Sequence, residues 1–302
     1  MHAPVSFAEN MRSAGYMMAS MAGFVCNDAF LKSVAGDLPM FQAVFLRGMI
    51  ATALVGCLAW QQGVLRFRPG RRDARLIGLR AVGEIGGTVF FLTALFNMPI
   101  ANASAILQSV PLAVTLGAAL FLGEPVGWRR YLAIGVGFLG VLIIVRPGSD
   151  GFNAYALWAV GAIGFIVLRD LCTRRLSPDV PGLGVVFVAG GAMTVVAGIA
   201  APFEGWQPVE AGHMLRLGVA AVCLIVGYIF GVMTMRTGEI GFVAPFRYTL
   251  ILWAILFGIL MFGEWPDVWM LAGSAVVVAS GLYTFQRERR LAQRAISGVT
   301  SG

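Results

Sequence analysis

Asp28, Arg47, Glu84 and Arg247 carry charge deep inside long apolar runs. A charge at bilayer depth costs about 2.5 to 3.5 kcal/mol on insertion scales, so each needs a partner or a water-filled cavity. Two chemistries are open to such residues: neutralising one another to tie helices together, or contacting the charged groups of a ligand. Counting about 1.5 Å per residue puts Asp28 about 9 Å and Arg47 about 12 Å below one membrane surface. The same count puts Glu84 about 12 Å and Arg247 about 9 Å above the other surface. The expectation is therefore an outer pair, Asp28 with Arg47, and an inner pair, Glu84 with Arg247. Arg169 and Asp170 rank below these four, because the apolar run that holds them is ending there.

Uncharged polar and aromatic residues accompany the charges. Asn27 precedes Asp28, and Thr88, Phe90, Gln108, Ser109, Trp158, Phe165, Tyr228, Tyr248 and Trp253 lie in other apolar runs. An aromatic pocket with a few polar groups suits an amphipathic metabolite, and the same side chains also serve packing. The candidate substrate-binding set is Asn27, Asp28, Arg47, Glu84, Thr88, Phe90, Gln108, Trp158, Phe165, Tyr228, Arg247 and Tyr248. Catalytic chemistry finds little support. The histidines are His2 and His213 alone, and Cys26, Cys57, Cys172 and Cys223 stand singly with no CxxC spacing. No metal site, cofactor or enzyme activity is expected. Gly135-Val136-Gly137-Phe138-Leu139-Gly140 fits GxGxxG, but without a preceding strand it reads as a small-residue helix surface rather than a dinucleotide loop.

The elements that position these residues are membrane-spanning helices. The chain has 302 residues, 58% hydrophobic and 12% charged, against about 25% charged in soluble domains. Ten apolar runs are long enough to cross a core of roughly 30 Å. They lie near 13–34, 40–60, 76–97, 100–122, 130–146, 154–172, 182–201, 214–236, 240–262 and 267–285. The first contains Asn27 and Asp28 and has no small-residue cleavage pattern, so it reads as a retained helix. With the N-terminus in the cytoplasm, all but five of the 22 basic residues fall in cytoplasmic segments; the exceptions are Lys32, Arg47, Arg146, Arg216 and Arg247. The positive-inside rule then places both termini in the cytoplasm. The positive charge is thereby explained by topology, and no nucleic-acid partner is expected.

A duplication runs through the chain. Gly123-Glu124 returns as Gly263-Glu264 at an offset of 140, while Asp28, Lys32, Asp37 and Pro39 return as Asp170, Arg174, Asp179 and Pro181 at 142. Five spans per copy is odd, so the second copy must enter from the opposite side. The charges agree: Glu124 is followed by Arg129 and Arg130, Glu264 by Trp265, Pro266 and Asp267. Each glutamate marks the exit of a helix from hydrocarbon, a mainly structural role. Pro111 and Pro245 remove backbone hydrogen bonds early in spans four and nine, where a helix break would expose polar backbone. An inverted repeat is the signature of a secondary transporter.

The ten-run arrangement, the duplicated halves, the phrase Gly123-Glu124-Pro125 and the start "ASAILQSVPL" resemble the drug/metabolite transporter superfamily, specifically its EamA-like bacterial exporters. The likeness runs from about Ala14 to Gln286 and is nearest to the aromatic amino acid exporters. It implies an all-α polytopic fold of ten helices in two inverted five-helix repeats, 12–146 and 154–286, followed by a basic cytoplasmic tail at 287–302. It implies export of small amphipathic metabolites, aromatic and other amino acids first, across the bacterial inner membrane by alternating access. A vitamin or drug such as riboflavin is the alternative substrate, and an enzyme or channel reading ranks lower. Besides substrate and lipid, a homodimer through the small-residue faces of spans five and ten is an alternative to a monomer.

Overall fold

The computed structural model describes residues 7–64, 68–124, 127–149, 151–237 and 240–299. His2, Arg66, Pro125 and the side chains of Arg236, Arg289, Arg290 and Arg294 lie outside that description. Among the described residues the regular structure is helical. The first half holds α1 (Phe7–Lys32), α2 (Met40–Gln61), α3 (Arg71–Asn97), α4 (Ile100–Leu107), α5 (Val110–Leu122) and α6 (Trp128–Val145). The second holds α7 (Ala156–Arg174), α8 (Gly182–Ala200), α9 (Ala211–Thr237), α10 (Ile240–Val243), α11 (Thr249–Phe262) and α12 (Val268–Val299). A 3-10 turn at Ala244–Tyr248 joins α10 to α11.

Local sequence sets these boundaries. Pro39, Pro99 and Pro181 sit at the N-caps of α2, α4 and α8, where the missing amide costs no helical bond. Gly123 and Gly263 end α5 and α11 in the left-handed region, at φ of 69° and 66°, which a side chain would oppose. The amide of the following glutamate then turns back six residues, Glu124 to the Ala118 carbonyl at 3.3 Å and Glu264 to the Gly258 carbonyl at 2.9 Å. This backbone device is why both Gly-Glu phrases stop an apolar run.

Among the described residues nine helical segments are long and apolar enough to cross a membrane, against the ten expected. The one that falls short is α1, which has 26 residues but carries Ser13, Ser20, Asn27 and Asp28. Its polar side chains face protein, not lipid. The Ser13 hydroxyl donates to the Thr234 carbonyl at 2.8 Å and the Ser20 hydroxyl to the Gly227 carbonyl at 2.7 Å, both on α9.

The packing pairs are α1 with α9, α2 with α8, α3 with α7, α6 with α12, and α4 with α11. Small residues allow the closest approaches. A Cβ on Gly23 would stand 2.9 Å from the Cys223 carbonyl oxygen on α9, and one on Gly140 2.9 Å from the Gly273 carbonyl oxygen on α12. The GxGxxG phrase is thus a packing surface. The small residues Gly140 of α6 and Gly273 of α12 meet within one chain, the packing use weighed from sequence beside a dimer contact.

Candidate functional site

A cavity of about 480 Å³ lies among α1, α2, α3, α7, α8, α9 and the two interrupted spans. Its apolar walls include Phe24, Phe91, Phe187 and Met193. Eight of the twelve candidate residues line it: Asn27, Asp28, Arg47, Glu84, Thr88, Gln108, Tyr228 and Arg247. The other four stand apart. Phe90 packs against Trp158 at 4.8 Å and against Phe165 at 5.0 Å between ring centroids, filling the α3–α7 seam over Gly161 and Gly86. Tyr248 turns its hydroxyl toward Gly281 of α12.

The span interruptions bring backbone to the cavity. In span four the helix breaks at Gln108 and Ser109, and Pro111 has no amide to offer the Leu107 carbonyl. In span nine the 3-10 turn holds Arg247. The two breaks touch: the Gln108 side-chain amide donates to the Arg247 carbonyl at 3.2 Å, and Gln108 is only 3% exposed.

Asp28 and Arg47 lie close, as expected, but an amide stands between them. Arg47 Nη1 donates to Asn27 Oδ1 at 3.0 Å, and Asn27 Nδ2 donates to Asp28 Oδ1 at 2.9 Å. The expected Glu84–Arg247 pair does not form. Glu84 Oε2 is instead 3.7 Å from Arg80 Nη2 and 3.7 Å from Arg169 Nη1. By sequence Arg80 counts with the cytoplasmic bases and Arg169 ranks lower because its run is ending, whereas Arg80 lies one turn from Glu84 on α3 and the long Arg169 stem carries its head to Glu84 from α7. Asp170 accepts from Arg169 Nε at 2.8 Å and also lines the cavity.

Sequence reasoning had set Arg80, Arg169 and Asp170 aside, and it missed Thr52 and Thr194. The repeat held the signal for two of these positions. Asp170 answers Asp28 at 142 (170 minus 28), and Thr194 answers Thr52 at the same offset (194 minus 52). The two threonine hydroxyls are 3.1 Å apart across the α2–α8 contact. Among the described residues no group of three or more His, Cys, Asp or Glu side chains is placed to hold a metal ion.

Access to the cavity is one-sided. Beyond Asp28, Leu31, Val34 and Leu38 are 0%, 0% and 2% exposed. Past them Lys32 Nζ meets Glu264 Oε1 at 2.5 Å and the Met98 carbonyl at 2.6 Å, while Glu264 Oε2 accepts the Ile100 amide at 2.9 Å. Arg146 and Asp267 form a further ion pair at that end. Toward the other end the lining continues through Val55, Arg80, Thr173 and Val186. There Arg174 Nη1 approaches Glu124 Oε1 only to 3.4 Å, both side chains about half exposed.

A cavity between apolar helices, polar groups on interrupted spans and access from one end define a polytopic membrane protein built to handle a small molecule. The comparisons agree. Residues 11–146 match the EamA-like transporter family. The chain is 28% identical over 282 residues to the pseudopaline exporter of Pseudomonas aeruginosa, covering 90% of this chain and 95% of that one. It is 22% identical to an S-adenosylmethionine uptake transporter of Rickettsia felis, covering 93% and 94% of the two chains. It is 29% identical to a riboflavin transporter of Vibrio cholerae, covering 72% and 73%. A solved crystal structure superposes with a TM-score of 0.62 at 17% identity, covering 93% of this chain and 98% of the other, and shares the fold. Residues 11–146 thus resemble EamA-like transporters, and the chain as a whole is a multi-pass helical membrane protein similar to small-molecule transporters.

Proposed function

We propose that this chain is a secondary transporter that exports small amphipathic metabolites, aromatic and other amino acids foremost, across the bacterial inner membrane by alternating access. The observation that carries the proposal is the contact of the two interrupted spans at Gln108 and Arg247, over a cavity open at one end. Interrupted helices at mid-membrane are where transporters place substrate sites. The relative named as an exporter, aligned over 90% of this chain, favours the outward direction. The walls of Phe24, Phe91 and Phe187 suit an aromatic side chain, and the polar residues around them suit its charged groups.

Inversion of the two repeats is part of this reading. Exchanging the halves turns the α1–α9 contact into α7–α3 and leaves α2–α8 and α6–α12 as they are, so the packing supports a two-fold relation. With the basic segments cytoplasmic, both termini face the cytoplasm and the cavity opens inward. The protein acts as a monomer, with lipid and substrate as its partners. Riboflavin is a second reading, favoured by the named relative at 29% identity.

The test is transport in proteoliposomes of labelled phenylalanine, tryptophan, alanine and riboflavin. The expected result is saturable phenylalanine and tryptophan transport, with alanine slower. Riboflavin alone moving would replace the amino-acid reading, and movement of none would end both. Topology is tested separately in intact cells: a membrane-impermeant thiol reagent should label cysteines at Gly151 or Gly205 and spare those at Gly70 or Ser177.

A further inference from the structure

The charges lining the cavity do not balance. Arg47, Arg80, Arg169 and Arg247 face Asp28, Glu84 and Asp170, four positive against three negative. The contacts show which charge is left over. Arg47 is linked to Asp28 through Asn27. Arg80 and Arg169 share Glu84, and Arg169 also holds Asp170. Asp170 is the acid whose field reaches Arg247, but its Oδ1 is already engaged by Arg169 Nε at 2.8 Å. The Arg247 guanidinium makes no hydrogen bond and no ion pair with a described residue, although the Arg247 carbonyl is held by Gln108.

Arg247 is exposed within the cavity, so water can hold its charge until an anion arrives to replace that water. Its planar fork of donors matches a carboxylate. We infer that Arg247 is the anion receptor of the cavity and that the substrate carries a carboxylate, which pairs with Arg247 while its apolar part lies against the aromatic walls. This deepens the amino-acid reading and rests on it: the carboxylate is the group selected, and neutral molecules of the same shape are rejected. Riboflavin, which has no carboxylate, falls outside the class.

The experiment uses the full chain, purified for binding and reconstituted for transport, with phenylalanine, phenylalaninamide, 3-phenylpropionate and riboflavin as probes. The wild type should bind phenylalanine and 3-phenylpropionate at least tenfold more tightly than phenylalaninamide or riboflavin. Arg247→Gln should lose at least tenfold in affinity for both carboxylates while its ligand-free melting temperature is unchanged or higher, since an unpaired charge is gone. Arg247→Lys should keep carboxylate binding to within several-fold. Equal binding of phenylalanine and its amide by the wild type overturns the inference and needs no variant to fold. Undiminished phenylalanine transport by Arg247→Gln overturns it while leaving the transport reading intact. Riboflavin binding with no response to either carboxylate removes the inference and the amino-acid reading together.

Discussion

Glu264 and Glu124 end their helices after matching glycines 140 residues apart, yet one makes a close, mostly buried ion pair and the other a longer, exposed one. At the Glu264 end the carboxylate holds Lys32 at 2.5 Å and caps the Ile100 amide, with the Lys32 and Glu264 side chains 10% and 21% exposed. At the Glu124 end the counterpart pair with Arg174 is 3.4 Å apart and 49% and 50% exposed. The residues behind the two pairs differ in the same sense. Leu31, Val34 and Leu38 are buried, while their counterparts at an offset of 142, Thr173, Leu176 and Val180, are exposed or half-buried. One sequence device thus appears once tight and buried, once loose and exposed. What decides between them is the packing around the device, since the glycine cap is made at both ends. Under the alternating-access reading proposed above, the tight state would pass from one end to the other.

The largest way to break this comparison is Glu264→Gln. Removing one partner of a mostly buried pair leaves Lys32 uncompensated and the Ile100 amide with a weaker acceptor, a loss of about 3 kcal/mol. The melting temperature should fall, and a cysteine placed at Val34 should react at least tenfold faster with a water-soluble thiol reagent. Unchanged protection of that cysteine would show that the Lys32–Glu264 pair does not seal this end.

A second test concerns Glu84, which lies between Arg80 and Arg169 on the open side. Glu84→Gln leaves two guanidinium groups without their shared counter-charge, so the double variant Glu84→Gln with Arg169→Gln should be more stable than the two single losses added together. A coupling of about 1 to 2 kcal/mol is expected from thermal denaturation of the four proteins. Strict additivity would remove this interaction from the site.

The smallest expected effect sharpens the contrast. Glu124→Gln acts on an exposed pair and should change stability by less than about 0.5 kcal/mol. A cysteine at Leu176 should label readily with or without it. If Glu124→Gln proves as damaging as Glu264→Gln, the two ends are not in different states.

Much of this was legible from residue order. The apolar runs correspond to the helices because a span's length and composition are local properties. The Gly-Glu phrases marked two helix ends, though the sequence reading credits the glutamates and the structure gives the cap to Gly123 and Gly263, whose positive φ strongly favours glycine. The proximity of Asp28 and Arg47 followed from depth alone. Partnerships between helices did not follow: Arg169 reaches Glu84 because α3 and α7 are neighbours, which no count of depth supplies, whereas Arg80 stands four residues before Glu84 on α3, a spacing already visible in the sequence. Phe90, Trp158 and Phe165 were ambiguous for the same reason. An aromatic residue on a helix suits a pocket or a seam equally, and only the neighbouring Gly86 and Gly161 decide for the seam. The Thr52–Thr194 contact was encoded in the repeat offset but becomes visible only once α2 and α8 are known to touch.

The polarity of α1 has a consequence for how the chain is made. Ser20 finds its acceptor on Gly227, 207 residues later, and Ser13 on Thr234, 221 residues later. At roughly 5 to 20 residues per second, α1 waits about 10 to 40 s after its own synthesis for the surface that satisfies it. During that interval α1 is the segment with the weakest claim on the lipid. Its final seating must follow the synthesis of α9, so a chain truncated before α9 should leave α1 poorly held.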